Sequence, residues 1–449
     1  MSEPDRRKTR RRALWFFLGV VGLIVASMAG IFVETWLGAA HVIERERRLV
    51  AERIAALRTE RASKPNYFEP AEEGNSWDPI VEALEALFQV RLGSPGCFPP
   101  YPSDADSKPS PEVVKAAFAK VDGPLQLLKR ALRRRWAEPS YRYEEHFNMP
   151  LTTDSTAWGA AFIMGEVAVH RHEEGRVEEA ADLLIAGWGM ADHVAAKGWS
   201  NIERARIACV WIFADRLKTM LSNHQLPTRT LERLEKALAT PELHRPDVMD
   251  FLRRDDVLWR MGILAWIDGT FKGEEFGPGP KPKARHFFSY RVLGAEWLTK
   301  KARFMEGIEA AVRLPFRDCE RRMEELEGTI LSQNSVINNA GGFDARFIIK
   351  QAAEDRVTTS LARLAIALAR YREEVGEWPG DLAGLAPKYL ASIPTDGMNA
   401  CPFRYWVKDQ SATVYALGPD GDDDGGATGR VYPDGDVSWT VKRRSAEVK

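Results

Sequence analysis

The run "ALWFFLGVVGLIVASMAGIFV", Ala13 to Val33, constrains this chain more than any other stretch, because 21 consecutive residues carry no charge. As an α-helix it extends about 31 Å, the thickness of a bilayer core. Arg6, Arg7, Lys8, Arg10, Arg11 and Arg12 crowd positive charge just ahead of it, and Trp15 and Trp36 flank it as interfacial anchors would. The positive-inside rule then makes 1–12 a cytoplasmic basic tail and 13–33 a transmembrane signal anchor, with everything after Glu34 outside. The rival reading is a cleaved signal peptide with Ser27, Met28 and Ala29 at the cleavage site, but the apolar run is longer than a usual signal core. "TRRRAL" faintly resembles a twin-arginine signal, for which Ala13 is a poor match. The expected address is the bacterial inner membrane: single-pass, N-terminus cytoplasmic, bulk periplasmic.

Residues 34–62 are predicted to form a juxtamembrane helical stalk, free of proline and rich in helix formers. Ile43, Val50 and Leu57 recur every seven residues, yet Glu46 and Arg53 interrupt the seam, so a solvated helix is expected. Lys plus Arg total 63 against 64 Asp plus Glu, leaving no global field to favour nucleic acid. The four cysteines Cys97, Cys209, Cys319 and Cys401 form no CxxC or Cys/His cluster, which argues against a zinc ribbon or redox motif. Cys209, in "IACVWIF", reads as a small buried hydrophobe.

The chain is expected to be mainly α. Residues 63–342 read as a helical domain, opened by "WDPIVEALEALFQ" at helical spacing and broken by the Pro-rich loops Gly93 to Pro111 and Gly273 to Arg285. No proline falls between Leu151 and Leu226, so that segment is several packed helices. Within it, "EGRVEEAADLLIAGWG" resembles the helix-turn-helix junction of a tetratricopeptide repeat through Gly175, Ala180 and Leu184; Cys209 stands where the next turn glycine is due, so one TPR-like hairpin is expected and no array. Glu166, His170 and Glu173 share one helix face and are the body's best candidates for metal or proton chemistry, against a plain solvated face. "HRPDVMDFLRRDD" reads equally well as an intra-helix ion-pair ladder. The chain has no GxSxG, P-loop, GxGxxG or HExxH motif. No small-molecule cofactor is expected.

Residues 343–449 read as a small α+β domain. A long helix from Ala345 ends at Gly376, a short helix follows in "WPGDLAGLAPKYLASIP", and "FRYWV" with "ATVYAL" predicts a hairpin across "KDQS". "GRVY" and "VSWTV" flank a second turn, "PDGD". Between the hairpins lies "YALGPDGDDDGG", whose closely spaced carboxylates and loop carbonyls are the hard oxygens calcium takes. Its "DGDDDG" matches the first half of an EF-hand loop, but Val431 stands where the bidentate glutamate is needed and no helices flank it. An acidic turn that holds no ion is the alternative.

This order of motifs resembles the globular domain of type II secretion major pseudopilins, over "ALARYREEVGEWPGDLAGL", "IPTDGMNACPFRYW" and "VYALGPDGDDDGG". As a whole the chain resembles membrane-anchored bacterial proteins of uncharacterised role that carry such a domain. The resemblance implies a structural calcium held by the Leu417 carbonyl and Asp420. The family's later acidic pair falls at Ala427 and Thr428, leaving Asp422, Asp423 or Asp424, or Asp434 and Asp436 folded back, to complete the set. The leader departs from the family: "GIFVE" puts its glutamate one position early and after the membrane helix, which argues against a pilus subunit. The expected function is a non-catalytic envelope scaffold that binds a protein partner and is linked to secretion-type assemblies; the alternative is a metal-dependent extracytoplasmic hydrolase. Carbonate extraction checks the anchor: the full-length chain should stay with the membrane pellet, and its release as soluble full-length protein would contradict a spanning helix.

Overall fold

A computed structural model of the chain describes residues 3–59, 64, 67–90, 111–137, 152–196, 198, 200–223, 226–244, 247–270, 287–331, 345–426 and 435–442. Among them, α1 (Glu3–Thr59) is followed by β1 (Glu72–Asn75), α2 (Trp77–Phe88), α3 (Pro111–Phe118), α4 (Asp122–Ala131) and β2 (Arg134–Trp136). Next come α5 (Thr152–Glu173), α6 (Val177–Val194), α7 (Ser200–Asn223), α8 (Thr228–His244) and α9 (Val248–Ile267). The series of helices closes with α10 (Phe287–Ala311), α11 (Phe316–Leu326) and α12 (Ala345–Val375). The short strands β3 (Thr395–Asp396) and β4 (Cys401–Pro402) precede β5 (Arg404–Lys408), β6 (Ser411–Ala416) and β7 (Val437–Lys442). The protein is therefore mainly helical, with one long apolar N-terminal helix and a small sheet region near the C-terminus.

The first helix is unbroken over 57 residues, about 85 Å of rise. Phe17, Leu23, Ile24, Met28, Ile31 and Leu37 along it are exposed, and it is long and apolar enough to cross a membrane. Beyond Leu37 the helix changes character. Ala39, Ile43, Glu46 and Val50 are buried, Ile54 and Leu57 pack at the core's margin, and the stripe lies against α9 and α10. The expectation of a solvated stalk is thus corrected, for a specific reason. The two charges that interrupt the heptad seam are answered by charges on α9: Glu46 by Arg260, and Arg53 by Asp256 at 3.2 Å. Arg260 bridges Glu46 and Asp256 (2.8 Å to the latter), and all three are nearly inaccessible. Lys301 of α10 is buried nearby, its ammonium 5.2 Å from the Trp259 ring centroid and 5.7 Å from that of Phe304. Burial pushes its pKa down to about 8 against the pull of Asp256 and Asp255.

The helix α6 is buried along almost its whole length from Ala180 to Val194, as its nearly all-round apolar composition requires. It forms a hairpin with α5, closed where Gly175 takes φ +80° and the N–H groups of Arg176 and Gly175 return to the carbonyls of Arg171 and His172. Against α7, Gly187 leaves room for the ring of Phe213: a Cβ there would stand 2.1 Å from the ring tip. Cys209 is buried as expected, and burial raises its thiol to about 12, which makes it inert.

The C-terminal helix α12 is shared. One side packs on α7 and α8, the other on β6 and β7. Arg206 of α7 ties the first contact, reaching Asp355 at 2.6 Å and Glu203 at 2.8 Å, all three buried. Burial opposes the guanidinium charge, but Asp355 and Glu203 outweigh it and hold the pKa well above its ordinary value. Arg363 and Arg370 add pairs to Glu235 (3.0 Å) and Glu232 (2.9 Å) of α8. The predicted α+β unit is therefore built onto the helical body through its own first helix.

The sheet runs β5-β6-β7, antiparallel throughout. The predicted hairpin is present, its turn made by Asp409 and Gln410 with φ of 48° and 68°, the primed geometry that suits strand twist. "GRVY" lies outside the described residues; β7 pairs with β6. Replacing Arg206 with Ala strands two buried carboxylates and should cost about 3–5 kcal/mol. Replacing Arg321, whose partner Asp318 is also exposed, should cost less than about 1 kcal/mol. Urea unfolding of the two full-length variants checks this, and equal losses would contradict a buried tie.

Candidate functional site

The acidic loop leaves β6 at Ala416 and is gripped at once from below. Asp396, fully buried, accepts from the N–H groups of Met398 (2.8 Å) and Asn399 (3.4 Å) and from the Asn399 side chain (3.0 Å). That fixes the Asn399 amide, which donates to the carbonyls of Leu417 (2.9 Å) and Gly418 (3.2 Å). The Gly421 N–H then closes a turn onto the Gly418 carbonyl at 3.0 Å. Arg317 of α11 donates to the Asp420 carbonyl, and Asp420 Oδ1 accepts from the Asp422 N–H at 3.2 Å.

Further along, the loop folds across the outer face of the sheet. Asp423 Oδ1 accepts from the Tyr415 hydroxyl and the Gly425 N–H, each at 3.0 Å, while Arg404 lies 3.5 Å from Oδ2. Burial and the Asp423 carboxylate together push the Tyr415 phenol up to about 12. Trp406 Nε1 donates to the Gly425 carbonyl at 3.3 Å. Gly425 and Gly426 follow one another at φ 71° and 75°, a left-handed pair that side chains would strain. Their turn sends the Gly426 N–H to Asp436 Oδ2 at 2.8 Å.

Asp436 is the chemically unusual member. It is only 8% exposed, and its Oδ1 has no hydrogen-bond partner among the described residues. Burial raises its pKa, the Gly426 and Asp424 N–H groups lower it, and the Asp423 and Asp424 charges raise it further; the net direction is up.

The sequence-predicted ligands therefore stand in different situations. The Leu417 carbonyl already accepts from Asn399, and Asp420 and Asp423 brace their own turns. Asp422 and Asp424 are exposed, with Asp424 close enough to Asp436 to raise its pKa. Asp434 lies outside the described residues. Among the described residues no three His, Cys, Asp or Glu side chains are grouped as a ready metal site. The donor set is nonetheless of the hard-oxygen type, and the unpartnered Asp436 oxygen is the atom a cation would satisfy. Asp436 was legible in the sequence as one of the residues that could fold back toward the loop, and the fold does bring it there, bonded to the Gly426 N–H.

The candidates of the helical body do not converge. Glu166 pairs with Arg216 at 2.7 Å; His170 lies 3.4 Å from Glu174 and against the Phe118 ring; Glu173 is exposed. In "HRPDVMDFLRRDD", Asp247 caps α9 through the Met249 N–H, Arg253 reaches Asp250 three residues back, and Asp256 takes both Arg260 four residues on and Arg53 of α1. A pair that the sequence did not disclose is Ser76 Oγ and His193 Nδ1, 2.7 Å apart. Both are wholly buried and Ser76 also bonds the Trp136 carbonyl at 3.1 Å, so this contact ties α6 to the β1–α2 junction with no approach for a substrate.

Comparison with protein-family models, with curated proteins and with solved structures returned no match.

A carboxylate whose folded pKa is raised destabilises the fold as pH climbs from its unfolded value through its folded one, and the penalty is complete above both. Asp436→Asn keeps an oxygen for the Gly426 N–H and removes that charge. In chelator at pH 7 the variant should melt higher than the parent, and the difference should shrink as pH falls into the carboxylate range. A variant that melts lower at pH 7 in chelator would show that the Asp436 charge is held by something else.

Proposed function

We propose that this protein is a membrane-anchored, non-catalytic platform of the bacterial envelope, whose body is held at a fixed attitude to the inner membrane and offers its surface to a protein partner. The observation that carries the reading is the continuity of α1 from its apolar segment into the core, together with the buried Glu46–Arg260–Asp256 network that seats it. The last residue of the apolar run is Val33 and the first buried one is Ala39, about 9 Å further along the helix axis. The body accordingly starts within the headgroup layer, where Arg291 of α10 covers the Trp36 ring at 5.0 Å. A flexible tether would let the domain tumble; a core-bound helix does not.

The kinship proposed for the C-terminal unit is pseudopilin-like, and with it a link to secretion-type assemblies. What supports it is the motif order in the sequence, together with a long helix followed by a short turn, a hairpin and a third strand. The TPR-like reading of the α5–α6 junction is supported by Gly175 at positive φ and the burial of Ala180 and Leu184. The loop is proposed to hold a structural calcium, with Asp436 Oδ1 and the adjacent Asp424 as the donors least committed elsewhere, Asp422 and Asp420 beside them, and the Leu417 carbonyl offering its second lone pair.

Two measurements test these proposals. Spin labels at Arg48→Cys and Arg303→Cys, exposed sites on α1 and α10, should give one narrow distance distribution in lipid vesicles; a broad one would contradict a rigid mount. Calcium at about a hundred times its Kd should stabilise the full chain by about 2.7 kcal/mol relative to chelator, and Asp436→Asn should cancel most of that gain. Identical melting with and without calcium would remove the ion from the reading.

A further inference from the structure

The two free edges of the C-terminal sheet are treated differently. Side chains of α7 cap the outer edge of β7: Lys218 donates to the Ser438 carbonyl at 2.8 Å and Ser222 to that of Thr440 at 3.3 Å. Main-chain groups along an antiparallel strand point alternately to its two sides. Val437, Trp439 and Val441 therefore face β6, opposite Ala416, Val414 and Ala412. That leaves Ser411, Thr413 and Tyr415 of β6 to bond β5, opposite Lys408, Trp406 and Arg404. Tyr405 and Val407 consequently turn their N–H and C=O groups outward, and among the described residues nothing bonds them.

Beside this edge lies a cleft of about 550 Å³ between β5 and the turn after α12, walled by Trp378, Tyr405, Trp406, Val407 and Arg372. Its polar ends are already occupied: Trp378 Nε1 donates to the Gln410 carbonyl at 3.2 Å, and the Tyr405 hydroxyl to the Pro379 carbonyl at 2.9 Å. What remains is the aromatic and aliphatic surface of Trp378, Trp406 and Val407 together with the polar side chains of Glu377, Gln410 and Arg372, the last lying 5.4 Å from the Trp378 ring centroid.

We infer that β5 is a docking edge for an extended segment of a partner protein, which adds to the sheet as a fourth strand with its apolar side chains in the Trp378 cleft and carboxylates beside Arg404 and Lys408. Main-chain bonds to Tyr405 and Val407 supply the affinity, and the cleft and the flanking cations supply the selection. The charges also disfavour the simplest rival. A second copy pairing along the full length of β5, centred on Trp406, would set Arg404 opposite Lys408, a like-charge pair that destabilises a strand contact. Exposed lysine on an edge strand is a recognised guard against such self-association. The inference rests on the platform reading and gives the platform one binding edge.

Site-resolved hydrogen exchange on the full-length protein in detergent tests it, with capped peptides containing Glu-Val-Thr-Val-Glu or Lys-Val-Thr-Val-Lys as probes. The acidic peptide should slow exchange of the Tyr405 and Val407 amides on the order of tenfold or more at saturation, and the basic one should not. Val407→Pro removes the outward N–H at a position where an edge strand tolerates proline, and should abolish the effect. Arg404→Glu with Lys408→Glu should transfer the preference to the basic peptide. The docking edge is overturned by an unchanged β5 with both peptides, by equal slowing with both, or by slowing that grows with protein concentration alone. Those outcomes leave the spin-label distances untouched, so the edge and the rigid mount fail separately.

Discussion

How the long first helix is seated on the rest of the protein depends on a three-residue ion network, Glu46 of α1 with Arg260 and Asp256 of α9, extended by Arg53. Charges buried this deeply are a poor source of net stability, because desolvation consumes most of what their attraction returns. Their effect is on register. A slide of α1 by one residue along the body would part Glu46 from Arg260 and Arg53 from Asp256, and although Arg260 and Asp256 keep each other within α9, the loss of a buried partner costs about 3–5 kcal/mol. The apolar contacts of Ala39, Ile43 and Val50 supply the adhesion, and the ions specify which contact is made. Because α1 has no break between its apolar segment and this contact, the register at Glu46 fixes the attitude of the body as a whole.

A second shared element extends that rigidity to the far end of the chain. The helix α12 belongs equally to the bundle and to the sheet, and Arg206 buries its charge against Asp355 at the bundle contact. The strand next to the bundle, β7, has its outer carbonyls taken by α7. Position in the fold thus makes one edge of the sheet structural and leaves the other, β5, as the free one.

The acidic loop illustrates how four clustered carboxylates can be ordered by the protein itself. Two of them brace their own turns, Arg317 and Asn399 hold carbonyls, and Tyr415 and Trp406 pin the crossing over the sheet. Only Asp436, drawn in from beyond the loop, is left with a buried oxygen that the described residues do not satisfy. Under the calcium proposal the ion would meet a loop whose backbone is already ordered by these bonds, which keeps the ordering cost of binding small.

The apolar run, the helical body, the hairpin at Asp409–Gln410 and the glycine turn at Gly175 were all determined by local sequence. Each follows from short-range rules: hydrophobic length, the period of the apolar residues, and the few residue types that accept positive φ. Tertiary structure alone decided the rest. Glu46 looks like a solvated charge until Arg260, more than two hundred positions away, is set against it. Ser76 and His193 carry no shared motif, and Asp436 stood in the sequence as one of several candidates until the return of β7 beside β6 placed it against the loop. Such pairings rest on which surfaces meet, and one-dimensional periodicity records that a face is apolar without recording what covers it.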